Sequence, residues 1–239
     1  HGSDVYVDKD YDDGSAKTIL LNPKEEEYGA HLWIHEIGHA LGLKHPFDEE
    51  NSSGGVGPPP YLQGDEDTTK WTQMSYTDSS NEYYLIFSPL DIAALQYLYG
   101  PNPASRAGDD TYDYSSTDAN FIWDGAGTDT IDASSATEKV TIYLEPGYWG
   151  FGGEVKADTI TSNGQITVNF GTVIENLKGS VYDDKLVGNS AANEINGQSG
   201  DDSIYGGAGN DSLDYTGGQG DDTLYGGKGD DQYHVSVLR

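Results

Sequence analysis

The chain has 239 residues, which is enough for one large domain or two ordinary ones. Its 41 acidic residues against 12 basic ones give a formal net charge of −29, which argues against nucleic acid and anionic membranes, because both bind basic surfaces. A disulfide scaffold is excluded because the chain has no cysteine, and no apolar run is long enough for a membrane span. Such a charge destabilises a compact state unless cations neutralise it, and regularly placed acids would make Ca²⁺ the first candidate.

Residues 4–100 have the pattern of a mixed α/β region. Residues 16–21 predict a short strand that ends at Asn22-Pro23. A helix is predicted from near Tyr28 to Leu41. Residues 46–70 contain a glycine pair, a run of prolines and many polar side chains, so we expect a long surface loop there.

A second helix is predicted from Ser88, with serine as N-cap, Pro89 at the first position and an acid, Asp91, at the third. Helical spacing predicts a core-facing side for four apolar residues: Leu90, Ala94, Leu95 and Leu98. The segment Gly100-Pro101-Asn102-Pro103 stops this helix and marks the predicted domain boundary.

The eleven residues from His35 to His45 follow the pattern H-E-x-x-H-x-x-G-x-x-H, which is typical of zinc proteases. His35 and His39 project from the same face of a helix, so both reach one metal ion. Gly42 can adopt a positive φ, and the resulting turn brings His45 back as a third ligand. Three neutral imidazoles leave Zn²⁺ a position for water, which makes Glu36 the predicted general base.

H-E-x-x-H by itself occurs by chance in long helices, but a glycine and a third histidine at fixed offsets make coincidence improbable. His31 lies one turn before His35 and is followed by Leu32 instead of a glutamate. We therefore expect His31 to be a residue of the helix surface.

From residue 101 the chain becomes rich in Gly, Asp, Asn and Thr, and a nine-residue period begins at Gly179. The six units start at Gly179, Gly188, Gly197, Gly206, Gly217 and Gly226, with two extra residues, Tyr215 and Thr216, before the fifth. The sixth position is always Asp or Asn: Asp184, Asn193, Asp202, Asp211, Asp222 and Asp231. The eighth is always apolar or aromatic: Leu186, Ile195, Ile204, Leu213, Leu224 and Tyr233. This is the calcium-binding nonapeptide pattern.

The period predicts a stack of turns and strands. Glycine-rich turns point carbonyl groups inward, and with the carboxylates of the sixth position they surround a hard cation. The eighth residue of each unit is expected to enter a thin apolar core, and the roll is expected to unfold when calcium is removed. The alternative is a disordered Gly/Asp-rich linker, which does not explain an apolar residue in phase with the acid.

The zinc motif and the repeats together resemble the serralysin family of secreted bacterial metzincin proteases. The resemblance implies an α+β metzincin-type protease region over residues 4–100, short at its N-terminus, followed by an all-β parallel β-roll or β-sandwich over residues 101–239. Met74-Ser75-Tyr76 is similar to the family's Met-turn, which lies under the zinc site. The resemblance therefore implies a structural role for Met74 and makes Tyr76 a further zinc ligand that stabilises the transition state.

The expected cofactors are one catalytic Zn²⁺ and several structural Ca²⁺ ions. Segments before the roll that look like the family's calcium sites contribute the candidates Arg106, Gly108, Asp109, Asp124, Gly127, Asp129, Asp132 and Glu175. Within the roll the candidates are Asp184 and Asn193, followed by the first, third, fourth and sixth positions of the later units: Gly197, Ser199, Gly200, Asp202, Gly206, Ala208, Gly209, Asp211, Gly217, Gln219, Gly220, Asp222, Gly226, Lys228, Gly229 and Asp231.

The leading interpretation is a secreted, extracellular zinc endopeptidase that is stabilised by calcium. Its partners would be protein or peptide substrates, with an N-terminal fragment or a proteinaceous inhibitor as further candidates. The family has a longer stretch before the zinc motif than the 34 residues that precede His35, and a tail after the repeats. This departure keeps open the alternative of a catalytically silent calcium-binding fragment of a larger protein.

Overall fold

The computed structural model describes residues 28–47, 62, 64–77, 85–214 and 220–234. The chain divides into two compact units, one ending at Tyr99 and the other starting at Gly100. The predicted strand at residues 16–21 and part of the predicted loop at residues 46–70 lie outside the described residues. Within the described part, no helix has the length and apolar character needed to cross a lipid bilayer.

The first unit contains helix α1 (Tyr28–Ala40), a 3₁₀ helix (Gly64–Glu66) and helix α2 (Pro89–Tyr99) among its described residues. Two hydrogen bonds end α1: Leu43 N–H donates to Gly38 O (2.9 Å), and Gly42 N–H donates to His39 O (3.0 Å). This pair forms a Schellman motif, which requires a left-handed residue after the helix. Gly42 is that residue, with φ of 98°, so the positive φ predicted for it is confirmed.

Helix α2 begins after Ser88, as predicted, but its N-terminus is closed in a different way. The Ser88 N–H donates to Asp91 Oδ2 (3.1 Å), which is half of a capping box, whereas the Ser88 hydroxyl donates to Thr69 O (2.8 Å). The core face predicted for α2 forms only in part: Leu90, Ala94 and Leu95 are partly buried. Leu98 is 52% exposed and the one buried residue of the helix is Asp91, because the inward side of its first turn makes polar contacts.

The described part of the second unit contains thirteen short strands. They are β1 (Thr111–Asp113), β2 (Asn120–Ile122), β3 (Thr130–Asp132), β4 (Val140–Tyr143), β5 (Trp149–Gly152), β6 (Gln165–Val168), β7 (Asn176–Lys178), β8 (Lys185–Val187), β9 (Glu194–Asn196), β10 (Ser203–Ala208), β11 (Ser212–Asp214), β12 (Thr223–Lys228) and β13 (Gln232–His234). One sheet has the order β1-β3-β7-β9-β11-β13, and the other has the order β12-β10-β8-β4-β5-β6-β2. Every pairing is parallel except those of β5 with β4 and β6.

The nine-residue repeat sets the register of both sheets. Successive units alternate between the sheets, so a strand pairs with the strand two units away: Glu194 lies opposite Ser212, eighteen residues later. Ser212 in turn lies opposite Gln232, twenty residues later. The two extra residues recognised in the sequence, Tyr215 and Thr216, account for this change of spacing.

The core of the roll is built from the eighth position of each unit. Four of these residues are fully buried: Leu186, Ile195, Ile204 and Leu213. Each such burial contributes roughly 1.5–3 kcal/mol. Leu224 is partly buried against the same cluster. The prediction is wrong for Tyr233, which is 49% exposed, because β13 is the edge strand of its sheet and no described strand covers it.

Candidate metal centres

Three histidine side chains of the first unit converge on one point. His45 Nε2 lies 3.2 Å from His35 Nε2 and 3.1 Å from His39 Nε2. Helix α1 places His35 and His39 one turn apart, and the turn at Gly42 returns the chain so that His45 reaches them. The structure therefore brings together the three side chains that the sequence pattern selects.

The opposite ring nitrogens hold two of these histidines in place. His35 Nδ1 lies 2.8 Å from Gln73 O, and His39 Nδ1 lies 3.0 Å from Leu43 O. Because a carbonyl oxygen only accepts, each Nδ1 carries the proton and each Nε2 keeps its lone pair. Burial lowers the pKa of His35, which also favours the neutral imidazole.

This arrangement fits a zinc ion. Nε2 lone pairs that face one another at such separations repel unless a cation lies between them. Tetrahedral zinc with bond lengths of about 2.0–2.1 Å separates its ligand nitrogens by roughly 3.3 Å, which is close to the observed spacing. Tyr76 completes the surroundings, since its hydroxyl lies 2.9 Å from His45 Nε2 while the side chain is 67% exposed.

Met74 lies beneath the metal-binding helix. Its side chain is buried, and a Cβ added at Gly38 would lie 2.5 Å from Met74 Sδ. Gly38 lies between His35 and His39, so this close packing fixes the part of α1 that carries both ligands. Sequence reasoning missed Gly38, although its place inside the zinc motif was a signal.

Two further residues of interest near the three histidines are Glu36 and Phe47. Glu36 is exposed on α1, directly after His35, and its role as general base stays a prediction. Phe47 stacks on His45 with ring centroids 5.0 Å apart, and its ring also lies 4.9 Å from that of Tyr76. Sequence reasoning missed Phe47, for which the position two residues after His45 is the only signal.

His31 is buried, so its predicted place on the helix surface is wrong. The physical reason is that Gln73 supplies a partner: His31 Nδ1 lies 3.0 Å from Gln73 Oε1. The Gln73 amide nitrogen also donates to Thr69 O (3.1 Å) and Ser88 Oγ (2.8 Å). The spacing of one turn between His31 and His35 was the signal that both side chains lie on one face.

Asp91 anchors the segment that contains Gln73. Its carboxylate accepts hydrogen bonds from Thr72 Oγ1 (2.6 Å), Gln73 N (2.7 Å) and Ser88 N (3.1 Å). Burial raises the pKa of this carboxyl, and the three hydrogen bonds oppose that rise. Asp91, which the sequence pattern places at the start of α2, thus also holds the segment whose Gln73 carbonyl contacts His35.

In the second unit, Asp124 and Asp129 lie close together with Asp110, and one oxygen of each is within 4.8 Å of the others. Asp129 Oδ1 accepts a hydrogen bond from Asp110 N–H, whereas its buried Oδ2 has no hydrogen-bond partner among the described residues. Burial, with the nearby Asp124 and Glu175, raises the pKa of Asp129 to about 6. Sequence reasoning missed Asp110, which directly follows the candidate Asp109.

Other calcium candidates surround this cluster. Asp109 Oδ1 accepts from Thr128 N–H (2.9 Å), and Glu175 Oε2 accepts from Asp129 N–H (2.9 Å). A Cβ added at Gly127 would lie 2.1 Å from Gly108 O, so these two backbones are in close contact.

Two candidates use their side chains elsewhere. The Arg106 guanidinium lies 4.5 Å from the centroid of the Trp123 ring. Asp132 Oδ2 pairs with Lys178 Nζ (3.3 Å), and Asp132 is not part of the cluster.

In the roll, the sixth-position side chains form two ladders along the stack. Asp202 Oδ1 accepts from Asp184 N–H (2.8 Å), and Asp222 Oδ1 accepts from Asp202 N–H (2.8 Å). On the other ladder the acceptors are Asp211 Oδ1, for Asn193 N–H (2.9 Å), and Asp231 Oδ1, for Asp211 N–H (3.1 Å). The remaining described candidates lie in the same turns: Gly197, Ser199, Gly200, Gly206, Ala208, Gly209, Gly220, Gly226, Lys228 and Gly229. Gly217 and Gln219 lie outside the described residues.

The turns of the roll fit a hard cation. Asp202 and Asp211 are 2% and 1% exposed, yet the Oδ2 atom of each has no hydrogen-bond partner in the described part of the chain. Burial, together with the carboxylates of Asp184, Asp222 and Asp183, raises the pKa of Asp202 to about 8. Calcium is bound by carboxylate and backbone carbonyl oxygens, and a cation at these atoms would remove the unfavourable burial of charge.

Comparison with known proteins agrees with both centres. The family model of the RTX calcium-binding nonapeptide repeat matches residues 178–213 and 215–235, and that of Peptidase M66 matches residues 23–91. Metalloprotease AprA of Pseudomonas entomophila (strain L48) is 36% identical over 207 residues, covering 75% of this chain and 40% of that protein.

Two serralysins give similar values. Serralysin B of Dickeya chrysanthemi is 37% identical over 192 residues, covering 72% of this chain and 38% of its own length. Serralysin of Proteus mirabilis is 38% identical over 197 residues, with the same coverage of 72% and 38%. The chain thus spans about two fifths of the length of these curated relatives. With matches that include the metal-binding helix and the repeats, the chain belongs to the serralysin family.

Proposed function

We propose that the protein is a zinc-dependent endopeptidase that hydrolyses peptide bonds of protein substrates. The observation that carries the proposal is the convergence of three Nε2 atoms, since those of His35 and His39 lie 3.2 Å and 3.1 Å from that of His45. Backbone carbonyls orient the rings of His35 and His39. In this proposal residues 4–100 are the C-terminal part of a metzincin-type catalytic domain.

His35, His39 and His45 would hold the zinc ion. When bound, zinc supplies a Lewis acid that polarises a carbonyl group and lowers the pKa of water. Glu36 would take the proton of the attacking water and pass it to the leaving amine. The Tyr76 hydroxyl, within 2.9 Å of His45 Nε2, would donate a hydrogen bond to the developing oxyanion.

Residues 101–239 would form a calcium-stabilised β-roll domain. Support comes from the buried carboxylate oxygens of Asp129, Asp202 and Asp211 that have no partner among the described residues. Calcium is scarce inside cells and abundant outside, so a roll that needs calcium suits an extracellular protein. We therefore propose that the protein acts after secretion.

The test is cleavage of casein in calcium buffer by the zinc-loaded chain, together with its zinc content. We expect cleavage that Glu36→Gln abolishes while one equivalent of zinc is retained, because Glu36 moves the proton and binds no metal. Asp65→Asn, an exposed acid of the 3₁₀ helix, is the matched control and should cleave normally. Cleavage by Glu36→Gln at the normal rate would overturn the assigned role, and stoichiometric zinc without any cleavage would favour a catalytically silent protein.

A further inference from the structure

The turns of the repeat that the structure describes are not equivalent. The turns at residues 179–184 and 188–193 are here named the closed turns, and those at residues 197–202 and 206–211 the open turns. They differ in two respects, namely the partner of the sixth-position side chain and the backbone conformation of the second and fourth positions. Both differences bear on where calcium binds.

In the first closed turn, donors of the protein satisfy the carboxylate of Asp184. Asp184 Oδ2 accepts from Ser180 N–H (2.5 Å). Asp184 Oδ1 accepts from the Ser180 hydroxyl (2.8 Å) and from Val140 N–H (2.8 Å). No oxygen of this buried carboxylate is therefore left without a donor.

In the second closed turn, amide groups make the corresponding contacts. Asn193 Oδ1 accepts from Asn189 N–H (2.8 Å), and Asn193 Nδ2 donates to Glu175 O (3.0 Å) and Asn189 Oδ1 (3.1 Å). Asn189 Nδ2 donates to Ile174 O (2.8 Å). Side-chain N–H groups thus bind oxygens that a cation would otherwise bind, and they do so without adding charge.

In the open turns the inner oxygen has no such donor. Asp202 Oδ2 and Asp211 Oδ2 are buried and have no hydrogen-bond partner among the described residues. The N–H of Gln198, at the second position of its turn, donates instead to Asn196 Oδ1 (2.9 Å). The donor that closes the Asp184 turn is therefore directed elsewhere in the Asp202 turn.

Backbone conformation separates the same two classes. Gln198 and Gly200 have φ of 75° and 112°, and Gly207 and Gly209 have φ of 108° and 118°. No residue of the two closed turns, all of which the structure describes, has a positive φ. Left-handed residues at the second and fourth positions turn the N–H of the second position away from the carboxylate. The closed turns have side chains at these positions, namely Ser180 and Tyr182 in one, Asn189 and Ala191 in the other.

We propose that the closed turns fold without bound calcium and that, among the nonapeptide turns, calcium is bound only from the turn at Gly197 onwards. This inference rests on the proposed calcium-binding role of the roll and removes Asp184 and Asn193 from its predicted ligands. The strands up to β9 then form a template whose stability does not depend on calcium in the nonapeptide turns. The later turns, including that at Gly226 with φ of 105° and 138° at Gly227 and Gly229, add to this template as calcium binds.

Hydrogen exchange of the whole chain in calcium and in excess EGTA tests the inference. The amides of Val140 and Glu194 donate within the calcium-independent part, to Asp184 Oδ1 and Glu175 O, and should stay protected in EGTA. Four amides donate to backbone carbonyls two units earlier in the roll and should lose protection by at least 100-fold: Ser203, Ser212, Thr223 and Gln232. Loss at Val140 and Glu194 together with these four would overturn the inference and leave the calcium-dependent roll intact. Protection of all six in EGTA would overturn the calcium-dependent roll itself, and the inference with it.

A gain of binding tests the role of the second and fourth positions. Ser180→Gly combined with Tyr182→Gly removes both side chains of the first closed turn, and equilibrium dialysis against Ca²⁺ should then detect one more bound ion than in the wild type. Ser190→Gly, at the third position of the other closed turn, is the matched control and should add none. An unchanged count for the double variant, with a normal melting temperature in calcium, would show that these positions do not decide calcium binding.

Discussion

The carbonyl oxygen of Gln73 lies 2.8 Å from His35 Nδ1, while the side chain of the same residue lies 3.0 Å from His31 Nδ1. Gln73 therefore contacts two histidines of α1 at once, one through its backbone and one through its amide. The backbone contact fixes the proton on His35 Nδ1 and so leaves Nε2 available for a metal. The side-chain contacts of Gln73 hold this carbonyl in position.

The first prediction concerns the side-chain contacts of Gln73. Gln73→Leu removes the contacts to His31, Thr69 and Ser88, and we expect zinc affinity to fall about 10-fold or more, as for other residues that orient a ligand. Chelator competition measures the affinity, and the spectrum of the Co²⁺-loaded chain reports the ligand geometry. Gln96→Leu on α2 is the matched control. A lower melting temperature with unchanged affinity and spectrum would reduce Gln73 to a structural role.

Removing the carboxylate of Asp91 should destabilise the first unit. Asp91→Ala leaves the donors of Thr72, Gln73 and Ser88 buried without an acceptor, and we expect a loss of about 2–4 kcal/mol in the free energy of unfolding. Asp91→Asn keeps one oxygen and should lose less. Urea unfolding followed by tryptophan fluorescence measures both variants, and equal losses would contradict the assignment of the three hydrogen bonds.

A substitution at Gly42 should weaken zinc binding as well as stability. Gly42→Ala places a Cβ at φ of 98°, which costs about 1–2 kcal/mol, and displaces the turn that returns His45 to the other ligands. Gly100→Ala is a suitable comparison, because Gly100 also follows a helix with a positive φ, of 79°, and is not part of the histidine motif. Calorimetric titration with Zn²⁺ should separate them, and the prediction fails if both variants bind zinc like the wild type.

Loss of the Tyr76 hydroxyl should affect turnover more than metal binding. Tyr76→Phe keeps the ring that stacks with His35 and lies at an angle against Phe47, but it removes the donor for the oxyanion. We expect kcat to fall roughly 100-fold with KM and zinc content nearly unchanged. Peptide-cleavage kinetics give the answer, and a normal kcat would exclude a role for the hydroxyl in the transition state.

The calcium-free roll should lose stability as the pH rises. The pKa of Asp202 is about 8 in the folded chain and has an ordinary value of 3.8, so the folded form binds the extra proton between these values. Stability is therefore fully present below about pH 4 and is lost as the pH rises through about 8. Melting temperatures in EGTA at pH 5 and pH 8 test this, with a higher value expected at pH 5. Asp202→Asn should reduce the difference between the two melting temperatures. If that difference stays unchanged in the variant, titration of other groups causes it.

The sequence by itself determined the parts of this protein that depend on spacing. The intervals within the histidine motif, the positive φ of Gly42 and the eighteen- and twenty-residue registers of the roll all follow from local periodicity. In a helix or a repeating turn the backbone geometry recurs at a fixed interval, so the spacing of residues along the sequence sets the distance between their side chains. The burial of Leu186, Ile195, Ile204 and Leu213 follows for the same reason.

Only the tertiary structure decided which polar groups find partners. His31 is buried because Gln73, forty-two residues later, reaches it. Asp110, just before β1, joins Asp124 and Asp129, which lie between β2 and β3. Asp184 and Asp202 occupy the same position of the repeat, yet the protein satisfies the carboxylate of Asp184, whereas Asp202 Oδ2 has no hydrogen-bond partner among the described residues. Hydrogen bonding depends on which donor lies within about 3 Å and in which direction it points, and that information comes from the folded backbone.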